Sequence, residues 1–276
     1  MFEKRGIGLA LMAPAALFVA VGLLLPVAIL LAGSFHSAAG WGLENFTEFF
    51  AKPLNRDVFF RTFRLALTVT VVAAVVGYAV ALVIVDASPG VKGKLVGLLV
   101  LPLMISPVAR TYAWLVILGR TGIVNVALTG LGLSDEPIRF LFSETAIFIG
   151  LIQLFFPLMV LPLVSALENL PADVVPAARV LGASWWTVFR RILLPLTREG
   201  LVVGGTLVFV GSLTAYVTPA ILGGSKVLML ETLMYQRVSV ANDYAAAGVI
   251  AVILIGMSIV THSGLKRLAT ARRRAG

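Results

Sequence analysis

Residues 176–195, PAARVLGASWWTVFRRILLP, form a basic segment rich in small side chains between two long apolar runs. Gly182 followed by Ala183-Ser184 reads as a helix stop and then a new start. Glycine reaches the left-handed conformation that closes helices, and serine accepts a hydrogen bond from the next turn. Pro195 is expected to end the second helix, because proline brings no N–H to the helical ladder. Inside a helix begun at Pro171, Pro176 would cost on the order of 3 kcal/mol. The first helix is therefore expected to start at or just before Pro176, where proline is favoured. Ala177, Ala178 and Gly182 then fall within about 140° on a helical wheel, a narrow smooth face. Trp185, Trp186 and Phe189 supply apolar anchors of the kind found at interface hot spots. Two readings fit this helix-turn-helix: it docks a partner protein, or it rests on lipid with Arg190 and Arg191 at the headgroups.

The flanks settle the class. The 276 residues are 59% hydrophobic and 13% charged, more apolar surface than one soluble core can hide. Uncharged runs lie at about 7–33, 65–85, 95–118 (interrupted by Arg110), 145–167, 200–223 and 244–264. Each has the roughly 20 residues that carry a helix across a hydrocarbon layer of about 30 Å. The expected fold is all-α, a polytopic membrane protein of six transmembrane helices with the helix-turn-helix loop at 168–198. The first run follows Lys4 and Arg5 as a signal peptide would. It is longer than a signal h-region and has no small-residue cleavage site, so it reads as an uncleaved anchor.

Basic residues orient the chain. With both termini inside, 13 Lys and Arg fall on the cytoplasmic side and 8 outside, with Arg110 left in a span. The net charge of +9 then reflects topology and contact with the anionic bilayer surface rather than nucleic acid. The loop 34–64, with Trp41, Phe46, Phe49 and Phe50 among charges, reads as an interfacial or surface helix. Three regions follow: an N-terminal helix and outer loop at 1–60, a membrane core at 61–265, and a basic tail at 266–276.

Ala177, Ala178 and Gly182, followed by Ile192, Leu194 and Pro195, match the spacing EAA-x3-G-x9-I-x-L-P. The segment resembles the cytoplasmic coupling loop of bacterial binding-protein-dependent ABC importers, through which a membrane permease docks into its ATPase. The pattern departs at Pro176, where that family usually has Glu. The contact made by that Glu is absent here or supplied by Asp173. LPLMISPVARTYAW at 101–114, GSLTAYVTPAILGG at 211–224 and ETLMYQ at 231–236 resemble the spermidine/putrescine-type permeases, so the likeness covers nearly the whole chain from about residue 60. It implies the type I importer permease fold in the bacterial inner membrane. It also implies a second homologous permease forming a heterodimer, two copies of a cytoplasmic ATPase, and a periplasmic solute-binding protein. The implied solute is a polyamine, with opines, phosphonates and other small organic ions as alternatives. The coupling-loop residues are Pro176, Ala177, Ala178, Gly182, Trp185, Ile192, Leu194 and Pro195. Arg110, Tyr112, Tyr216 and Thr218 are candidates for the translocation pathway.

Several chemistries are not visible in the sequence. There is no GxxxxGK[ST] phosphate loop, so ATP and Mg belong on a separate ATPase and no cofactor is expected on this chain. The chain has no cysteine, hence no thiolate nucleophile or metal ligand. His36 and His262 stand apart from any ligand cluster, and no catalytic acid–base pair is recognisable. An ion-driven secondary transporter commonly carries carboxylates inside its spans. None lies inside the six runs, and Asp86 sits at an end. A polyamine would then pass by water, backbone carbonyls and aromatic faces such as Tyr216, each cation–π contact contributing roughly 0.5–2 kcal/mol. Arg110 follows a kink expected at Ser106-Pro107. It either snorkels to the surface or lines the path, where it favours an anionic or zwitterionic solute over a polycation.

Overall fold

Proline and glycine decide where the apolar runs bend and where they pack. The computed structural model describes residues 5–37 and 40–271; Lys4 and the tail arginines Arg272, Arg273 and Arg274 lie outside them. Among the described residues, four helices are long and apolar enough to cross a membrane: Leu11–Ser34, Pro53–Asp86, Glu144–Glu168 and Tyr244–Arg267. Two further pairs reach that length only together. Pro89–Met104 with Pro107–Ile117 is bent by 98°, and Trp185–Leu196 with Arg198–Leu213 by 67°. The count is six spans if each bent pair is one span, and four otherwise.

The chain divides into two compact units. The first, residues 1–57 with 233–255, begins with α1 (Arg5–Val19), which runs through a π turn at Ala20–Leu24 into α2 (Leu25–Ser34). A two-residue hairpin, β1 (His36–Ser37) with β2 (Gly40–Trp41), leads to α3 (Glu44–Ala51). Asn45 Nδ2 donates to the carbonyls of Ser34 and His36, both at 3.0 Å, and so stitches the hairpin to the end of α2. Phe49 of α3 is buried, whereas Trp41 is 74% exposed, as the surface-helix reading of this loop requires. The unit also holds most of α14 (Leu230–Ser239) and the first half of α15 (Tyr244–Ala271). Asp243 Oδ1 caps α15 by accepting from the Ala246 N–H at 3.0 Å. A Cβ at Gly248 would lie 2.6 Å from the Leu30 carbonyl oxygen, so α15 and α2 touch backbone to backbone.

The second unit, residues 58–232 with 256–276, is organised by α4 (Pro53–Asp86) and α8 (Glu144–Glu168), with α12 (Arg198–Leu213) packed along α8. The apolar run at 65–85 is only part of α4. Val58, Thr62, Leu65, Val69 and Ala73, buried and spaced three or four apart, carry the helical period back through a charged stretch that hydropathy alone assigns to a loop. On α12, Gly200, Gly204 and Gly211 recur at steps of 4 and 7 and form one smooth side. A Cβ there would lie 2.7 Å from the Pro162 carbonyl oxygen, 3.1 Å from Met159 Cα and 2.5 Å from the Phe155 ring respectively. Small residues in this register let two helix backbones approach closely in an apolar medium.

The third apolar run splits into α5 (Pro89–Val100), a 3₁₀ turn at Leu101–Met104 and α6 (Pro107–Ile117). Ile105 is extended, with ψ of 138°, and Ser106, with ψ of 129°, is held out of the helical region because it precedes Pro107. The kink expected at Ser106-Pro107 is present. A short α7 (Ile123–Gly130) follows. The fifth run does not reach residue 223 unbroken: α12 ends at Leu213, and the chain resumes as α13 (Val217–Leu222).

Candidate docking loop and solute site

The loop begins with α9 (Val174–Val180), which starts two residues before Pro176. Pro176 is thus the third helical residue, and the carbonyl its ring would strike, four residues back, lies outside the helix. Asp173 occupies the N-cap without a side-chain bond. Gly182 closes α9 at φ +79°. Its N–H donates to the Arg179 carbonyl at 2.9 Å, and the Ala183 N–H donates to the Ala178 carbonyl at 3.0 Å, the paired bonds of a glycine-terminated helix. Ser184 then caps α10 (Trp185–Val188), its Oγ accepting from the Thr187 N–H at 3.3 Å. Both sequence expectations, the stop at Gly182 and the start at Ser184, hold.

Pro195 differs. The chain stays helical from α10 through a π turn at Phe189–Leu193 and α11 (Leu194–Leu196), and breaks at Thr197. The π turn widens the ladder just before the proline, so the ring is accommodated instead of ending the helix. The same device precedes Pro26, which follows the π turn at Ala20–Leu24.

The loop is rooted by one chain of contacts. Val188 and Leu193 are buried. Phe189 stacks on Trp186 with centroids 5.6 Å apart and meets Tyr78 edge-on at 5.2 Å. Thr197 Oγ1 donates to the Leu193 carbonyl at 2.7 Å, which leaves the Tyr78 hydroxyl to donate to Thr197 Oγ1 at 2.7 Å. Arg179 lies over the Trp185 ring at 5.7 Å and links the two short helices. Ala178, Ile192, Leu194 and Pro195 are half-buried, whereas Pro176, Ala177, Gly182 and Trp185 are exposed. A Cβ at Gly182 would meet nothing within 4 Å. Val180 and Leu181, 88% and 86% exposed, belong to the same open face; sequence reading passed over them and over Tyr78, since only the folded turn shows which apolar residues are left outside.

The candidate pathway residues collect on α6 and α13. Thr218 is buried, with its hydroxyl 3.4 Å from that of Thr111. Tyr112 is exposed and Tyr216 half-buried. Arg110 is 8% exposed, and its Nη1 donates to the Pro102 carbonyl at 2.8 Å. It is therefore folded back across the 98° bend onto a carbonyl that also accepts the Ile105 N–H, rather than extended to the surface. Trp114 Nε1 donates to Gln153 Oε1 at 3.4 Å. Beside these elements, α4, α5 and α8 frame an apolar groove of about 670 Å³, in which Gln153 is the one polar lining residue among those described.

A polar cluster that the sequence did not single out lies where α4, α8 and α14 meet. Glu144, at the start of α8, takes Arg61 Nε on one oxygen at 3.1 Å and Arg64 Nη2 on the other at 2.5 Å. Arg61 Nη1 also donates to the Leu228 carbonyl at 3.2 Å, and Thr62 Oγ1 accepts from the Leu230 N–H at 2.9 Å. At the far end of α8, Glu168 pairs with Lys92. Glu231 follows Leu230 in α14, and burial alone raises its carboxyl above the ordinary carboxylate value.

Residues 92–269 match the model of the binding-protein-dependent transport system inner membrane component, and the chain belongs to that family. It is 32% identical over 244 residues to the spermidine/putrescine transport system permease protein PotB of Haemophilus influenzae, covering 86% of this chain and 84% of that one. To PotB of Escherichia coli K12 it is 31% identical over 229 residues, covering 82% and 83%. Among solved structures it is similar in fold, at a TM-score of 0.76 and 19% identity, to a chain of a bacterial alginate ABC transporter in complex with an alginate pentasaccharide-bound periplasmic protein. That match covers 99% of this chain and 96% of that one. The protein is a multi-pass permease subunit of an ABC importer in the bacterial inner membrane, and ATP hydrolysis is the work of a separate ATPase.

Proposed function

We propose that this chain forms one half of an import pathway for polyamines such as spermidine and putrescine. The observation that carries the solute is the 31–32% identity to spermidine/putrescine permeases along more than four fifths of the chain. In this reading each bent pair is a single span, giving six, with both termini cytoplasmic as the basic residues favour. The loop 168–198 lies on the cytoplasmic side and docks one of two ATPase copies. Pro176, Ala177, Ala178, Gly182, Trp185, Ile192, Leu194 and Pro195 form or support that contact. The open face of Val180, Leu181, Trp185 and Trp186 supports docking over simple rest on lipid, because the intervening turn is left smooth at Gly182. A second homologous permease supplies the other half as a heterodimer, and a periplasmic binding protein delivers the solute.

Arg110, Tyr112, Tyr216 and Thr218 belong to the pathway region. Arg110 acts there by closing the bend on Pro102 and holding α6 in place, which removes its charge from the route of a polycation. The apolar groove bounded by α4, α5 and α8 offers a polyamine almost no polar partner and is not the path.

The test is uptake into vesicles holding both permeases, the ATPase and the binding protein. Labelled spermidine should accumulate with ATP and without an ion gradient. Accumulation driven by a gradient in the absence of ATP would contradict the mechanism, and uptake of phosphonate but not spermidine would contradict the solute.

A further inference from the structure

The backbone on both sides of Glu231 is held in place. Arg61 and Thr62 fix the Leu228 carbonyl and the Leu230 N–H, and Thr232 Oγ1 accepts from the Met229 N–H at 2.8 Å. Met229, Leu230, Thr232 and Leu233 are at most 4% exposed, with Glu231 half-buried among them. Arg61, which reaches this segment at the Leu228 carbonyl, and Arg64 are both engaged by Glu144. Among the described residues, no cation or hydrogen-bond donor meets the Glu231 carboxylate. A carboxylate that loses water and gains no partner is unfavourable. A half-buried carboxylate with no cation of its own chain beside it is open to one from outside.

We propose that Glu231 is a cation subsite that receives a primary ammonium group of the transported amine as it leaves the binding protein. The site rests on the polyamine reading above. An ammonium carries three donors and no acceptor, and with a rigid, partly desolvated carboxylate it forms charge-assisted hydrogen bonds. The nearby ion pairs serve this role by keeping Arg61 and Arg64 engaged, so that neither neutralises Glu231. The site lies in the first turn of α14, one helix on from α13, which carries Thr218.

The experiment compares wild type, Glu231→Gln and Glu231→Asp in vesicles of the complete importer at saturating binding protein. The substrates are spermidine and N-acetylspermidine, which has one ammonium fewer. Wild type should prefer spermidine. Glu231→Gln should lose uptake by about tenfold, the scale of one charge-assisted contact, and the spermidine preference should fall with it, while Glu231→Asp keeps most of both. Because the binding protein is common to all samples, the change in preference isolates the permease. Equal rates and preference in wild type and Glu231→Gln would overturn the site. So would loss of the second permease on purification of Glu231→Gln, which would assign the carboxylate to a subunit contact. Wild-type vesicles that take up phosphonate but no polyamine would remove the polyamine reading and the site together, an outcome distinct from an unchanged variant in a working polyamine importer.

Discussion

Gly182 holds a left-handed backbone in open space, and the two properties have separate consequences. A side chain there meets no atom of this chain within 4 Å, so substitution costs only the backbone penalty of roughly 1–2 kcal/mol, too little to unfold the packed helices. Gly182→Asp is expected to insert normally, to lose ATP-driven uptake, and to retain less ATPase on co-purification. Gly182→Ala, with the same backbone penalty but no charge and little bulk, should keep more of both. Normal uptake and retention in Gly182→Asp would show that the loop does not couple the two proteins. Glu231 gives a residue-scale effect on stability. Burial raises its folded-state pKa, so the folded protein holds its proton at pH values where the unfolded chain has released it. Stability therefore falls as pH rises from the ordinary carboxylate range through that raised value. Glu231→Gln should unfold at a higher temperature than wild type at pH 7, and the gap should close below about pH 4, near the ordinary carboxylate value. A gap that is the same at both pH values would show that ionisation of Glu231 does not limit stability.

The contact between α8 and α12 is the element most exposed to a single change. A Cβ at Gly204 already lies 2.9 Å from Met159 Sδ and 3.1 Å from its Cα. Gly204→Leu should separate the helices and destabilise by about 1–3 kcal/mol or more, read as lower yield and a lower midpoint in detergent. Gly256→Leu, where a Cβ would meet nothing within 4 Å, should be tolerated. The elements themselves were largely legible: six apolar runs, a stop at Gly182, a cap at Ser184 and a kink before Pro107 all rest on local backbone chemistry. What the sequence hid depends on partners far along the chain. The charged start of α4 is helical because Val58 and Thr62 pack inward. The Thr62–Leu230 bond spans 168 residues, and it fixes the surroundings of Glu231. Arg110 turned inward because the bend supplied the Pro102 carbonyl, and Pro195 stayed in its helix because a π turn preceded it.

At the scale of the molecule, the spans have to alternate across the membrane for the loop to reach an ATPase. Reporter fusions at residues 130 and 185 should fall on opposite sides, with 185 cytoplasmic; the same side for both would break the six-span arrangement. The π turn at Phe189–Leu193 adds a demand that concerns phase. One extra residue in a helix advances everything beyond it by about 100°, so these five residues set the azimuth at which Trp185 and Trp186 face outward relative to α12. Deleting Arg190 should let the turn rewind as α-helix and swing the loop about its own axis, while Arg190→Ala removes the same side chain and leaves the angle alone. ATPase retention lost in the deletion and kept in the alanine variant would show that docking reads the rotation of the loop as well as its composition; equal retention would show that it does not.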